Sequence, residues 1–155
     1  MKIAVAADHG GFPLKEEILE AVRAAGHEPL DLGTFNTDRV DYPDYAEKIA
    51  QALINGQAER GVLLCGSGVG ACIAANKFPG IYAAICHDTY SAHQGVEHDA
   101  MNVLCLGARI IGPALARELV DSFLQAEYFN SGRYAARVDM VRAFEQRNLE
   151  DQQPD

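Results

Sequence analysis

Short apolar runs without polar alternation take turns along this chain with stretches of helical period. Residues 2–7, Lys-Ile-Ala-Val-Ala-Ala, predict a first strand. Leu14, Ile18, Leu19 and Val22 then recur at helical spacing, and Gly26 closes that helix. Pro29 to Leu32 predicts a short second strand. Pro43 opens a second helix with Tyr45, Ile49, Leu53 and Ile54 on its apolar side. Gly61 to Cys65 reads as a buried third strand, with a helix after it over about Val69 to Lys77. Ile81 to Cys86 predicts the fourth strand, Thr89 to Glu97 the fourth helix and Asn102 to Leu106 the fifth strand. Gly112-Pro113 starts a fifth helix carrying Leu115, Leu119, Val120, Phe123 and Leu124.

Strands that lack polar alternation are buried on both faces, and their alternation with helices implies a parallel sheet between two helical layers. The crossovers are expected to be right-handed. After Asn130-Ser131-Gly132 one more helical pattern runs from Tyr134 to Arg147, with Val138, Val141 and Phe144 as its apolar stripe. No strand follows it, so the helix is expected to pack on a partner subunit. Residues 149–155 are polar and predict a disordered tail. A single domain over 1–148 accounts for the rest.

Composition narrows the picture. The chain has 155 residues, 48% of them apolar, enough for a sizeable core. No apolar run reaches the ~18 residues of a membrane helix, and the N-terminus lacks the marks of a signal peptide. A cytoplasmic location is expected, with no membrane partner. The four cysteines, Cys65, Cys72, Cys86 and Cys105, form no C-x-x-C pair and no zinc-spaced set with histidine. Free thiols and no metal are expected, with Cys72, Cys86 and Cys105 in the core. The formal net charge of −9 argues against nucleic acid as a partner. It also means that an anionic ligand needs a local cationic cluster.

In an open parallel sheet, ligands bind beyond the carboxyl ends of the strands. Four segments then converge: Asp8-His9-Gly10-Gly11, the run Cys65-Gly66-Ser67-Gly68-Val69-Gly70, His87-Asp88, and Arg109. The glycine-rich run is the most informative. Its glycines let the backbone turn sharply and approach a ligand, and the helix after it aims free N–H groups there. Such a loop suits a phosphate or a developing anion. Cys65 starts the turn, where a helix N-terminus favours thiolate, and the Ser67 hydroxyl is near enough in sequence to bond its sulfur. Two other readings stand beside this one. In one, Cys65 simply ends a buried strand before a tight turn. Alternatively, Gly66-x-Gly68-x-Gly70 with Asp88 resembles a shortened dinucleotide fingerprint, although its last spacing is one residue short. His98-Asp99 closes the fourth helix and is expected near the same sheet edge, with helix capping as the plainer role. His87 and Asp88 lean towards structure. Arg133 and Arg137, four apart, share a helix face that suits a phosphate or merely solvent.

Taken together, Asp8-His9-Gly10-Gly11, Asp41-Tyr42-Pro43, Cys65 to Gly70, Ala74-Ala75-Asn76-Lys77, His98, Asn102-Val103-Leu104, Gly107-Ala108-Arg109 and Gly132-Arg133 resemble the type B ribose-5-phosphate isomerases and their galactose- and allose-6-phosphate relatives. The likeness runs over about residues 2–148. It implies an α/β/α sandwich, Rossmann-like, with strand order 2-1-3-5-4 and a C-terminal helix crossing to a partner. It implies a cofactor-free aldose–ketose isomerase, a homodimer or dimer of dimers with the site between subunits. By resemblance Cys65 is the base, Ser67 supports it, and the backbone of Gly66, Gly68 and Gly70 holds the enediolate. His98 opens the sugar ring with Asp8 nearby, Tyr42 lines the pocket, and His9, Arg109, Arg133 and Arg137 hold the phosphate. One departure is Asp99, where many such members carry Asn; its carboxylate bears on substrate choice.

Overall fold

The computed structural model describes residues 1–151. Five parallel strands form one sheet: β1 (Lys2–Ala7), β2 (Glu28–Asp31), β3 (Arg60–Cys65), β4 (Ala83–Ile85) and β5 (Val103–Gly107), in the order β2-β1-β3-β5-β4. The helices are α1 (Phe12–Ala24), α2 (Tyr42–Ile54), α3 (Val69–Ala75), α4 (Thr89–Asp99), α5 (Pro113–Gln125) and α6 (Gly132–Glu150). The order and the alternation are those expected from the sequence. β4 is shorter than its apolar run because Ile81 and Tyr82 sit in the turn before it; the Tyr82 amide donates to Asn102 Oδ1 at 2.8 Å instead of joining a ladder. α4 runs two residues further than expected, through His98 and Asp99. α6 continues through Glu150, past the point where the sequence predicts a tail; residues 152–155 of that tail lie outside the described residues.

Side chains alternate across the strands and build two cores. Ile3, Val5 and Ala7 of β1, Val62 and Leu64 of β3, and Leu104 and Leu106 of β5 pack against α1, α4 and α5, with Phe123 fully buried among them. The other face carries Ala4, Ala6, Leu63, Cys65, Val103 and Cys105 under α2 and α3. Cys65 therefore lies on the α2/α3 face at the carboxyl end of the central strand. Cys105 shares that face two residues before the end of its own strand.

Two connections fix the carboxyl edge beside Cys65. The Gly33 carbonyl accepts from Ala7 N–H and the Thr34 amide donates to Ala7 O, both at 2.7 Å, so the loop after β2 is tied to the end of β1. Lys15, 4% exposed despite its charge, donates to both Asp31 carboxylate oxygens at 2.8 and 2.9 Å and to Thr34 O at 2.6 Å. A buried ammonium must be paired in this way, and here the pairing pins α1 to the loop that leads to Tyr42. At the end of β1 the chain turns against β3. A Cβ on Gly11 would stand 2.5 Å from the Leu64 carbonyl oxygen, backbone that cannot step aside. Gly11→Ala is expected to cost about 1–3 kcal/mol, the usual penalty of overpacking, or more because the clash is with backbone. A lowered urea midpoint at unchanged m-value is the check.

Candidate active site

At the carboxyl edge, Asp8, Tyr42, Cys65, Gly66, Ser67, Gly70, Arg109 and Ile110 line an open cavity of about 340 Å³. Seven of these eight are residues picked out in the sequence. Asp8, 7% exposed, accepts the Gly11 amide at Oδ1 (2.9 Å) and so holds the first turn after β1. His9 stands beside it, its Nδ1 3.0 Å from Val40 O and 3.2 Å from Val40 N, which fastens the segment before Tyr42 to the end of β1. Tyr42 opens α2, and its ring lies against Gly70: a Cβ there would come within 2.7 Å of the Tyr42 ring carbon. Only glycine at 70 lets the phenol rest on the first turn of α3.

The turn from Cys65 to Val69 is organised by Gly68, whose φ of +83° favours glycine. In that conformation the Gly68 amide points back and donates to Cys65 Sγ at 3.0 Å. The sequence suggested the Ser67 hydroxyl as donor to the sulfur, but the donor is backbone, and Ser67 Oγ accepts from Val69 N–H at 3.3 Å. The expectation that Gly68 joins Gly66 and Gly70 in holding an enediolate is corrected: its positive φ turns its amide onto the sulfur. Among the described residues the Gly66 and Ser67 amides meet no acceptor. The Arg109 side chain passes over Gly66, with no carboxylate partner within ion-pair distance among the described residues. A nearly buried thiol, two unpartnered backbone donors and an unpaired guanidinium therefore share one cavity. That set can hold an oxyanion beside a thiol.

His98, Asp99, Arg133 and Arg137 are not there. α4 returns against the strand direction, so its last turn lies at the opposite edge of the sheet, beside Tyr82 ahead of β4. The expectation that His98-Asp99 shares an edge with Cys65 is corrected: eleven helical residues carry the chain back across the sheet. β5 alone separates the edges by four strand rises, about 13 Å. At this second edge the four residues do gather. The His98 ring stacks on Tyr134 with centroids 4.1 Å apart, and the Arg133 guanidinium lies 5.0 Å over the same tyrosine ring. Asp99 and Arg137 line a small pocket of about 60 Å³ with Tyr82, Val138 and Val141. The sequence did not single out Tyr134 or Gln94, whose amide nitrogen reaches His98 Nδ1 at 2.9 Å. Gln94 lies four residues before His98, a helical spacing that marks it as a neighbour.

His87 and Asp88 serve the frame. His87 Nε2 accepts the Gly107 amide at 3.1 Å, and Asp88 caps α4 through the Ser91 amide at 2.7 Å, a bond that lowers its pKa. Among the described residues no group of three His, Cys, Asp or Glu side chains is placed to hold a metal, and no helix is long and apolar enough to cross a membrane.

The cysteines differ. Cys72, expected in the core, is only half-buried on α3 and donates to Ala83 O. A hydrogen bond from Cys105 lowers its pKa to about 7, against the opposing effect of burial. That bond and burial push Cys105 well above its usual value, and burial, aided by Asp88, raises Cys86 to about 11.

Fold and site together define an open α/β protein whose sheet carries at its carboxyl edge a cavity lined by a cysteine, a glycine-rich turn and an arginine. The chain belongs to the ribose/galactose isomerase family, whose model matches residues 3–141. It is 46% identical to ribose-5-phosphate isomerase B of Escherichia coli over 146 residues, 94% of this chain and 97% of that one. It is 41% identical to D-erythrulose-4-phosphate isomerase of Pectobacterium atrosepticum, covering 94% and 95%. It superposes on the Clostridium thermocellum ribose-5-phosphate isomerase B with a TM-score of 0.91 at 44% identity, over 96% and 99% of the two chains.

Because the thiolate is the reactive form, Cys72 is expected to alkylate readily near neutral pH, its rate falling as pH drops through about 7. A Cys65→Ala protein treated with iodoacetamide at pH 7.5 (~0.5 above that midpoint) should still take up label, on Cys72 by peptide mass mapping. Adding Cys72→Ser should abolish that uptake.

Proposed function

We propose that this chain interconverts an aldose phosphate and its ketose phosphate, ribose 5-phosphate and ribulose 5-phosphate, through a cis-enediolate with Cys65 as the base. Membership of the ribose/galactose isomerase family carries the reaction class. The observation that carries the mechanism is the Cys65 sulfur, bonded by Gly68 N–H, facing a cavity that also holds the open Gly66 and Ser67 amides.

The steps follow from these positions. In ring opening one proton moves in net, from the C1 hydroxyl to the ring oxygen; Asp8 accepts the proton leaving the hydroxyl and His98 donates one to the ring oxygen. Cys65 thiolate then removes the C2 proton. The negative charge spreads over O1 and O2, where the Gly66, Ser67 and Gly70 backbone supplies donors with Ser67 beside the sulfur. The hydroxyl proton passes from O2 to O1, and Cys65 returns its proton to C1. Tyr42 walls the sugar, and His9, Arg109, Arg133 and Arg137 neutralise the phosphate in a protein whose overall field repels it.

This assignment needs both sheet edges, and they stand too far apart for one small sugar phosphate. A homodimer resolves it: the α4–α6 edge of one copy completes the Cys65 cavity of the other. α6 supports the pairing, since Met140, Val141 and Phe144 are exposed along it and only Val138 is buried. The sugar itself has a second candidate. The 41% identity to a D-erythrulose-4-phosphate isomerase supports a tetrose phosphate as that second candidate, and the Asp99 carboxylate bears on the choice.

Purified protein in EDTA is expected to isomerise ribose 5-phosphate, and Cys65→Ala to lose at least about 100-fold in kcat, the weight of a proton-transfer base. Turnover on tetrose 4-phosphates but not on ribose 5-phosphate would reassign the sugar. Mixing inactive Cys65→Ala and His98→Ala proteins should restore about a quarter of wild-type activity, because half of the dimers are then mixed and each has one intact site. No recovery would place both residues in the same subunit's site.

A further inference from the structure

Towards the end of α4, Gln94, His98 and Asp99 form one hydrogen-bonded group. Gln94 Nε2 lies 2.9 Å from His98 Nδ1 and 3.2 Å from Asp99 Oδ2. A side-chain amide can be turned over so that its oxygen and nitrogen trade places, and an imidazole can accept or donate at Nδ1. Asp99 removes both freedoms. A carboxylate only accepts, so the Gln94 amide must present its NH₂ to it; the reverse orientation would set two acceptors against each other. The same nitrogen carries a second hydrogen, directed at His98. Nδ1 must then be the accepting nitrogen of the ring. Stacking on Tyr134, with planes 16° apart, keeps the ring in that position, and Nε2 has no partner among the described residues.

We propose that Gln94 and Asp99 together hold His98 in the Nε2–H form, so that the ring meets the sugar as a hydrogen-bond donor. Gln94 is a positioning residue acting through His98, and Asp99 supplies the acceptor that orients it. Only the consequence for catalysis rests on the isomerase reading above; the tautomer follows from the hydrogen bonds. An asparagine at 99 would leave the Gln94 amide free to face either way, so the carboxylate has a role here apart from any contact with substrate.

The test is nitrogen NMR of the full-length protein labelled with ¹⁵N in its histidine rings, without substrate and at mildly alkaline pH. In the wild type, His98 is expected to show a protonated Nε2 and an unprotonated Nδ1. Gln94→Glu offers only acceptors and should move the proton to Nδ1, with kcat reduced about 100-fold, as for loss of a proton-transfer group, and KM little changed. Gln94→Leu should give a mixture of the two forms. A wild-type His98 protonated at Nδ1, or a tautomer unmoved in both variants, overturns the proposal, and the first of these requires no variant to fold. An absence of isomerase activity alongside the expected wild-type tautomer would remove the isomerase reading and leave this one standing.

Discussion

Helix α4 runs back against the direction of the strands, and much of the chemistry of this chain depends on that. In a parallel sheet every strand ends at one edge and every crossover helix returns to the other. Whatever a crossover helix carries at its last turn is therefore kept away from the strand-end loops of its own chain. Cys65, Asp8, Tyr42 and Arg109 stand at the carboxyl edge; His98, Asp99, Arg133 and Arg137 stand with α4 and α6 at the opposite one. The cations are divided in the same way. Arg109 alone is a weak lure for a dianion in a chain of net charge −9, and the paired arginines of α6 lack the sulfur. The proposed dimer would bring the arginines of α6 to the Cys65 cavity and cover the apolar side of α6 in the same event.

Most of the fold was legible in the sequence because both signals that define it are local. β1, β3 and β5 are unbroken apolar runs, and the buried faces of α1 and α5 match the spacing of Leu14, Ile18, Leu19 and Val22 and of Leu119, Val120, Phe123 and Leu124. The strand-end rule then collected Asp8, Cys65 and Arg109 at one edge, since each ends its strand or follows it within two residues. It did not extend to His98. That residue belongs to a helix, and its edge depends on helix length and direction, not on the strand before it. Eleven residues at about 1.5 Å each cover about 16 Å, a full strand length.

Other details escaped because they lie in backbone conformation. Nothing in the order Cys-Gly-Ser-Gly says which neighbour reaches the sulfur; a hydroxyl one residue from Gly66 looked suitable. The positive φ of Gly68 decides it by turning that residue's own amide inward. Cys72 escaped for a similar reason. Its run of small apolar neighbours resembles core, yet α3 has only seven residues, and its outer side lies at the surface with Ile73 exposed.

The shortness of α3 also bears on how the loop stabilises negative charge. Two turns of helix carry a small dipole, and it acts only near the terminus. Individual amides at fixed positions are the stronger resource, and the turn allots them separately. Gly68 N–H is spent on the Cys65 sulfur, Val69 N–H on the Ser67 hydroxyl, and the Gly66 and Ser67 amides are left without an acceptor among the described residues. In the proposed mechanism the division matters because an enediolate forms as the sulfur becomes neutral. The donor on the sulfur favours the state before proton abstraction, and the donors on the substrate oxygens favour the state after it. In the proposed reaction, with one amide on the base and the Gly66, Ser67 and Gly70 backbone on the substrate oxygens, the hydrogen bonding tilts towards the intermediate.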